Sequence, residues 1–284
     1  MSDAEWDWDS VYPAPAKLNL FLHVVGRRSD GYHLLQTVFR LIDRADRIRF
    51  APREDGQIRL LTPLAEVPAD GDLTVRAARL LQTESGCRRG ADIVLDKRLP
   101  LGGGLGGGSS DAATVLLALN HLWRLGLARE RLQQIGLALG ADVPVFVFGR
   151  NAFAEGIGEA LQAVELPACW YVVLEPPVAV PTAAIFGAPE LRRDTPPIAA
   201  GSWQPGVGIN DLEAVACARF PSIAEHLAWL SRHAPARMSG SGACVFAGFA
   251  RREEADDVLR HLPAGISGWT AAGLDRHPLH GLAA

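Results

Sequence analysis

Six of the seven residues from 102 to 108 are glycine, in the run Pro100-Leu101-Gly102-Gly103-Gly104-Leu105-Gly106-Gly107-Gly108-Ser109-Ser110-Asp111. Glycine loses more conformational freedom on folding than any other residue, so a cluster this dense needs a reason. A backbone free to take positive φ can turn several N–H groups toward one point. The following segment, 109–125, has a wide apolar face, Ser109 or Ser110 as cap, Asp111 in its first turn and Gly126 as a stop. That pattern predicts a helix. Its unpaired N–H groups and positive dipole end add to the loop, and together they suit phosphate. A flexible linker would not run straight into a strongly capped apolar helix.

Two familiar phosphate loops fit the letters and fail on context. Gly103-x-x-x-x-Gly108 has the P-loop spacing, but Ser109 stands where that loop needs lysine. Gly102-x-Gly104-x-x-Gly107 fits the dinucleotide pattern, yet Lys97-Arg98-Leu99-Pro100 separates the preceding strand from the glycines. A dinucleotide turn leaves its strand directly. What remains is a kinase-type loop whose cations come from elsewhere in the chain.

The rest of the sequence sets the frame. A chain of 284 residues favours two modest domains. We expect residues 1–160 and 161–284, divided where composition shifts after the densest motif region. Strands are expected at 11–25, 34–50, 93–95, 143–148, 171–174 and 243–249. Helices are expected at 72–82 with Asp72 as N-cap, 109–125, 129–139, 210–218, 222–232 and 252–261, with a loop at 187–208. Elements alternate without a regular βαβ beat, which implies α+β layers. On the first strand Lys17, Asn19 and His23 fall two or four apart and share one face. His277-x-x-His280 has metal-like spacing beside Pro278 but no third ligand in sight, and reads as surface histidines.

Composition excludes several classes. The formal net charge is −4, which argues against a general nucleic-acid binder. Cys87, Cys169, Cys217 and Cys244 form no Cys-x-x-Cys pair and read as reduced, buried thiols. The acidic, tryptophan-bearing residues 1–10 have no basic or apolar stretch typical of a secretory signal. No apolar run approaches membrane-span length. A soluble, cytoplasmic protein is expected.

Three segments together resemble the motifs of the GHMP small-molecule kinases: Pro13-Ala14-Pro15-Ala16-Lys17-Leu18-Asn19, the glycine loop, and Ser239-Gly240-Ser241-Gly242-Ala243. Gly31-Tyr32-His33, Lys97-Arg98-Leu99-Pro100, Gly140-Ala141-Asp142-Val143-Pro144 and Ala154-Glu155-Gly156-Ile157-Gly158 narrow it. They are similar to the branch whose acceptor is the 2-hydroxyl of a cytidine-diphosphate-linked methylerythritol, in the non-mevalonate isoprenoid pathway.

The resemblance implies an α+β fold: an N-terminal ATP-binding domain like the second domain of ribosomal protein S5, and a C-terminal ferredoxin-like substrate domain. It implies Asp142 as the base and Lys17 as its cation partner. ATP, with Mg2+, falls to Lys97, Pro100, Leu101, Gly102, Gly103, Gly104, Leu105, Gly106, Gly107, Gly108, Ser109 and Ser110. The magnesium ligands are not named by it, and Asp72 stands where the family often has Asn. Asn19 is implied to orient the polyol or Asp142. Tyr32, His33 and Phe186 are implied to hold the cytosine, with Thr182 as a polar contact. The partner is then a small molecule, with no nucleic acid or membrane, and the chain a monomer or weak homodimer. Other GHMP acceptors such as homoserine or mevalonate, a non-catalytic nucleotide-binding module, and a dehydrogenase are the competing readings. Tyr32-His33 speaks against the first, since those acceptors have no base to stack. The presence of both Lys17 and Asp142 speaks against the second, and the loop context against the third.

Overall fold

A computed structural model describes residues 6–63 and 68–284. Residues 1–5 of the expected signal-free N-terminus lie outside the described residues. The strands are β1 Tyr12–Arg27, β2 His33–Arg53, β3 Ile58–Leu60, β4 Gly90–Asp96, β5 Ala152–Glu155, β6 Ala160–Ala163, β7 Trp170–Glu175, β8 Ala236–Met238, β9 Val245–Phe249 and β10 Ser267–Leu274. The helices are α1 Leu73–Ser85, α2 Gly107–Leu122, α3 Arg129–Leu137, α4 Val143–Phe148, α5 Thr182–Phe186, α6 Asp211–Arg219, α7 Pro221–Leu230 and α8 Arg252–Arg260. The fold is α+β.

β2 organises the sheet because it is long enough to serve several partners. It pairs with β1 along most of its length, and with β5, β10 and β4 in turn at Val38, Ile42 and Phe50. β10 also pairs with β7, which pairs with β9. The two halves of the chain are therefore joined through β10. β6, which begins at Ala160, pairs with β5.

One core lies between β1, β2, β4 and helices α1 to α4. A second lies under α5 to α8. Between them a smaller cluster joins Ala16, Leu18 and Ile42 to Tyr171, Val173, Cys244 and Phe246. Leu105, the one side chain within the glycine run, is buried in that junction. Fully burying a leucine stabilises by roughly 1.5–3 kcal/mol, which pins the loop at its middle.

Several expectations need correction. Residues 143–148, expected as a strand, form α4. A continuous apolar run of six fits a buried strand or a buried helix equally by periodicity. Pro144 near the helix start and Gly149, at φ 70°, at its C-cap decide for the helix. α2 begins two residues earlier than its expected Ser cap, on Gly106 in the left-handed region. The Ser110 hydroxyl donates instead to the Pro15 carbonyl at 2.6 Å. Segments β3, β5, β6, β8, β10 and α5 had no sequence signal strong enough to expect them. The cysteines are free as expected, but only Cys244 is buried; the other three are half-buried. His277 is not on the surface: it is buried, and its Nδ1 accepts from the Leu279 N–H at 3.0 Å. No group of three or more His, Cys, Asp or Glu side chains suited to a metal occurs among the described residues. None of the described helices is long and apolar enough to cross a membrane.

Candidate active site

The glycine loop is shaped by a second loop from the far half of the chain. The N–H groups of Ala243 and Cys244 donate to the carbonyls of Gly102 and Gly103, at 3.2 and 3.1 Å. The Ser239 hydroxyl donates to the Gly104 carbonyl at 2.9 Å. Gly104 has φ 73°, and a Cβ there would sit 2.0 Å from the Ser239 carbonyl oxygen. Only glycine permits that approach. Gly106, at φ 71°, turns the chain into α2 with the Phe146 ring 2.9 Å from where a Cβ would stand. The N–H groups of Gly107, Gly108 and Ser109 lie in the first turn, where α2 offers no acceptor. These three residues line a cavity of about 430 Å³.

Lys17 crosses the floor of this cavity. Its ammonium donates to Asn19 Oδ1 at 2.6 Å and to the Gly104 carbonyl at 2.9 Å, and stands 3.3 Å from Asp142 Oδ2. All three ammonium protons thus have acceptors, which fixes a side chain that is only 3% exposed. Asn19 donates in turn to Thr37 Oγ1 at 2.9 Å. It therefore orients Lys17 and makes no bond to Asp142. Asp142 stands at the N-cap of α4, yet its carboxylate makes no capping bond and remains 35% exposed. His23 does not join this face. The β1–β2 register shifts between Asn19 and Leu22, and the His23 ring accepts from the Ile209 N–H at 3.3 Å.

Lys97 lines the same cavity but is held from behind. It donates to Asp46 Oδ2 at 2.5 Å and to Asp111 Oδ2 at 2.8 Å. Asp46 Oδ1 also accepts the N–H groups of Arg98 and Leu99, at 2.5 and 2.8 Å. Burial, reinforced by the neighbouring Asp46 carboxylate and only partly offset by Lys97, pushes the Asp111 carboxyl up to about 8. Burial opposes the Lys97 charge, but the two carboxylates outweigh it and raise its pKa. Asp111, expected as an acid of the helix's first turn, thus lies buried and accepts from Lys97 behind the cavity.

A second cavity, of about 580 Å³, opens beside the first. Leu35, Ala141, Ile157, Thr182 and Phe186 line both. Tyr32 and His33 line the second alone, and Tyr32 is 60% exposed. The His33 and Phe186 rings lie 5.1 Å apart. The Thr182 hydroxyl is within 2.8 Å of the Ser241 hydroxyl.

Every residue expected at the site lines one cavity or the other except Ser110. The structure adds Asp46 and Asp111 behind Lys97. It also adds Asn210, whose side-chain amide donates to the carbonyls of Met238 and Gly240, at 2.9 and 2.8 Å. Arg193 joins too, through His33. Asp46, Asn210 and Arg193 have no sequence signal beyond charge or polarity, because each acts through a partner distant in the chain, and Asp111 reads only as an acid of the helix's first turn.

Comparison with known proteins gives the family. Residues 72–150 match the GHMP kinases N-terminal domain and residues 198–267 the GHMP kinases C-terminal family. A 4-diphosphocytidyl-2-C-methyl-D-erythritol kinase from Dechloromonas aromatica is 70% identical over 270 residues, covering 95% of this chain and 98% of that protein. The namesake from Thiobacillus denitrificans is 62% identical over 95% of this chain and 97% of its own. The chain belongs to the 4-diphosphocytidyl-2-C-methyl-D-erythritol kinases. A crystal structure of 4-(cytidine 5'-diphospho)-2C-methyl-D-erythritol kinase superposes with TM-score 0.80 at 35% identity, covering 93% of this chain and 99% of the other. A mevalonate kinase, at 12% identity and TM-score 0.69 over 94% of this chain and 100% of its own, shares the fold alone.

Proposed function

We propose that the chain transfers the γ-phosphate of ATP to the 2-hydroxyl of 4-diphosphocytidyl-2-C-methyl-D-erythritol, a step of the non-mevalonate route to isoprenoid precursors. The observation that carries this reading is the Lys17–Asp142 pair, set between the glycine loop and the aromatic pocket. Ala141, next to Asp142, lines both cavities.

Phosphoryl transfer asks the protein mainly for positioning and charge stabilisation. The first-turn amides of α2 receive the phosphate tail. The acceptor alcohol enters from the second cavity with its base against Tyr32, His33 and Phe186. Asp142 takes the hydroxyl proton as the new O–P bond forms. Lys17, fixed by Asn19 and Gly104, holds Asp142 in place and sets a positive charge beside the reacting oxygen. Among the described residues, Asp142 is the one carboxylate lining the first cavity. Magnesium would therefore be held chiefly by the nucleotide phosphates, with Asp142 and Ser109 as the protein groups at hand. When bound it neutralises phosphate charge. The remaining parts of the reading are a cytoplasmic monomer or weak homodimer with small-molecule partners, divided into two domains near residue 160.

ADP release with the cytidyl alcohol, compared with homoserine and mevalonate, tests this reading. Turnover with the cytidyl alcohol alone is expected. Turnover with either of the others, or with none, would overturn it.

A further inference from the structure

Arg193 lies in the 187–208 segment, outside the residues lining either cavity. Four of its five guanidinium N–H groups are nonetheless employed. One end donates to the carbonyls of Leu191, Phe186 and Ala188, at 2.8, 2.9 and 2.7 Å. Its Nε donates to Nε2 of His33 at 3.0 Å. A guanidinium has donors and no acceptor, so the nitrogen that meets it must carry the lone pair. The proton of a neutral imidazole then sits on Nδ1. Among the described residues His33 Nδ1 has no hydrogen-bond partner, and the ring lines the second cavity.

We propose that Arg193 is a specificity-determining positioning residue, which locks His33 as its Nδ1–H tautomer so that the ring offers the bound base one donor and no acceptor. The consequence is a choice between pyrimidines. Cytosine carries an acceptor at N3, whereas uracil carries N–H there, so a fixed donor favours the first and repels the second. The same arginine braces the Phe186 carbonyl, tying the two rings to one anchor. The charged groups around the imidazole are Arg193 from the segment after α5, Arg27 from the end of β1, and Asp30 in the following turn, itself paired with Arg28. Burial, then Arg193 and Arg27, hold the imidazole below its ordinary pKa. It stays neutral near pH 7.

The tautomer is independent of the functional reading; its use against a base rests on that reading. The first measurement is therefore the 15N spectrum of the imidazole in the ligand-free full chain. A protonated Nδ1 and a bare Nε2 are expected at pH 8, where the ring is neutral; an Nε2–H tautomer would overturn the proposal whatever the substrate. The second is the steady-state kinetics of Arg193→Met. Its KM for the cytidyl alcohol should rise about tenfold at pH 8, the scale of one mis-set hydrogen bond, with kcat and the KM for ATP within about twofold. Toward pH 6 that KM should recover, because the released imidazole protonates near its ordinary pKa of about 6.5 and regains a donor on Nδ1. The preference for the cytidyl alcohol over its uridyl analogue should narrow at pH 8. A KM raised equally at every pH, with the preference intact, would mean that Arg193 only braces the loop, and would overturn the proposal. Failure of the unaltered chain to turn over the cytidyl alcohol would sink the functional reading and leave the spectrum to decide the tautomer.

Discussion

Two lysine–carboxylate groups face the same cavity and differ in what they leave free. Lys17 is buried, but its partner Asp142 keeps 35% of its side chain open and spends nothing on its own helix. Lys97 is enclosed with Asp46 and Asp111, whose side chains are 0% and 4% exposed. The first group has a carboxylate with lone pairs available to a substrate. The second has Asp46 committed to Lys97 and to the backbone leading into the glycine loop, while Asp111 meets Lys97 through one oxygen and buries the other without a partner among the described residues. The same pair of groups thus leaves a carboxylate open to the cavity in one place and holds the backbone ahead of the glycine loop in the other.

Substitutions should separate the two. Asp142→Asn keeps shape and removes the base. It should lower kcat by about 10²–10⁴, the worth of general base catalysis, while unfolding in urea and nucleotide binding by calorimetry stay near those of the parent. A kcat within threefold of the parent would move Asp142 out of the reacting centre. Asp46→Ala should do the reverse. It takes one of two carboxylates from the buried Lys97 ammonium and leaves two backbone N–H groups without their acceptor, so a loss of about 1–3 kcal/mol in urea unfolding is expected. Asp46→Asn, which keeps an acceptor, should lose less and still fold. If Asp46→Asn left stability alone and abolished turnover, the holding role would be wrong.

Those two predictions also mark what was legible in the sequence. The glycine loop could be read because its backbone demand is written in residue type, and Gly104 and Gly106 carry it at positive φ. Lys17 and Asp142 could be read through their surrounding motifs. Lys97 could be placed near the loop, but not its enclosure, since Asp46 lies 51 residues away and nothing local marks it. α4 was misread because Val143–Phe148 is apolar at every position, and burial on all sides erases periodicity. β10 left no signal either. Ser267-Gly268-Trp269-Thr270-Ala271-Ala272 becomes a strand through its pairing with β7, not through its own pattern. Arg193 was invisible in a segment that read as a plain loop.

Smaller effects sharpen the contrast. Tyr32→Ala should raise the KM for the cytidyl alcohol about tenfold, from the roughly 1–3 kcal/mol of one base stacked on an aromatic ring. Because that ring is 60% exposed, thermal unfolding should hardly change. An unmoved KM would empty the second cavity of its role. The smallest effect concerns Asp111→Asn. The folded-state pKa of Asp111 is raised, to about 8, so its contribution is full below the unfolded value of about 3.9 and fades as pH rises through 8. The variant should match the parent's stability within about 1 kcal/mol at pH 5, and the balance should shift in the variant's favour by pH 8. Urea unfolding at both values checks the sign, and the opposite trend would mean that the ion pair with Lys97 dominates burial.

The most direct test is a crystal structure of the chain with the cytidyl alcohol and a non-hydrolysable ATP analogue. The account predicts the acceptor hydroxyl about 2.6–3.2 Å from Asp142, Lys17 beside it, and the phosphate tail on the amides of Gly107, Gly108 and Ser109. A hydroxyl turned away from Asp142, or phosphates bound anywhere but on that first turn, would contradict it.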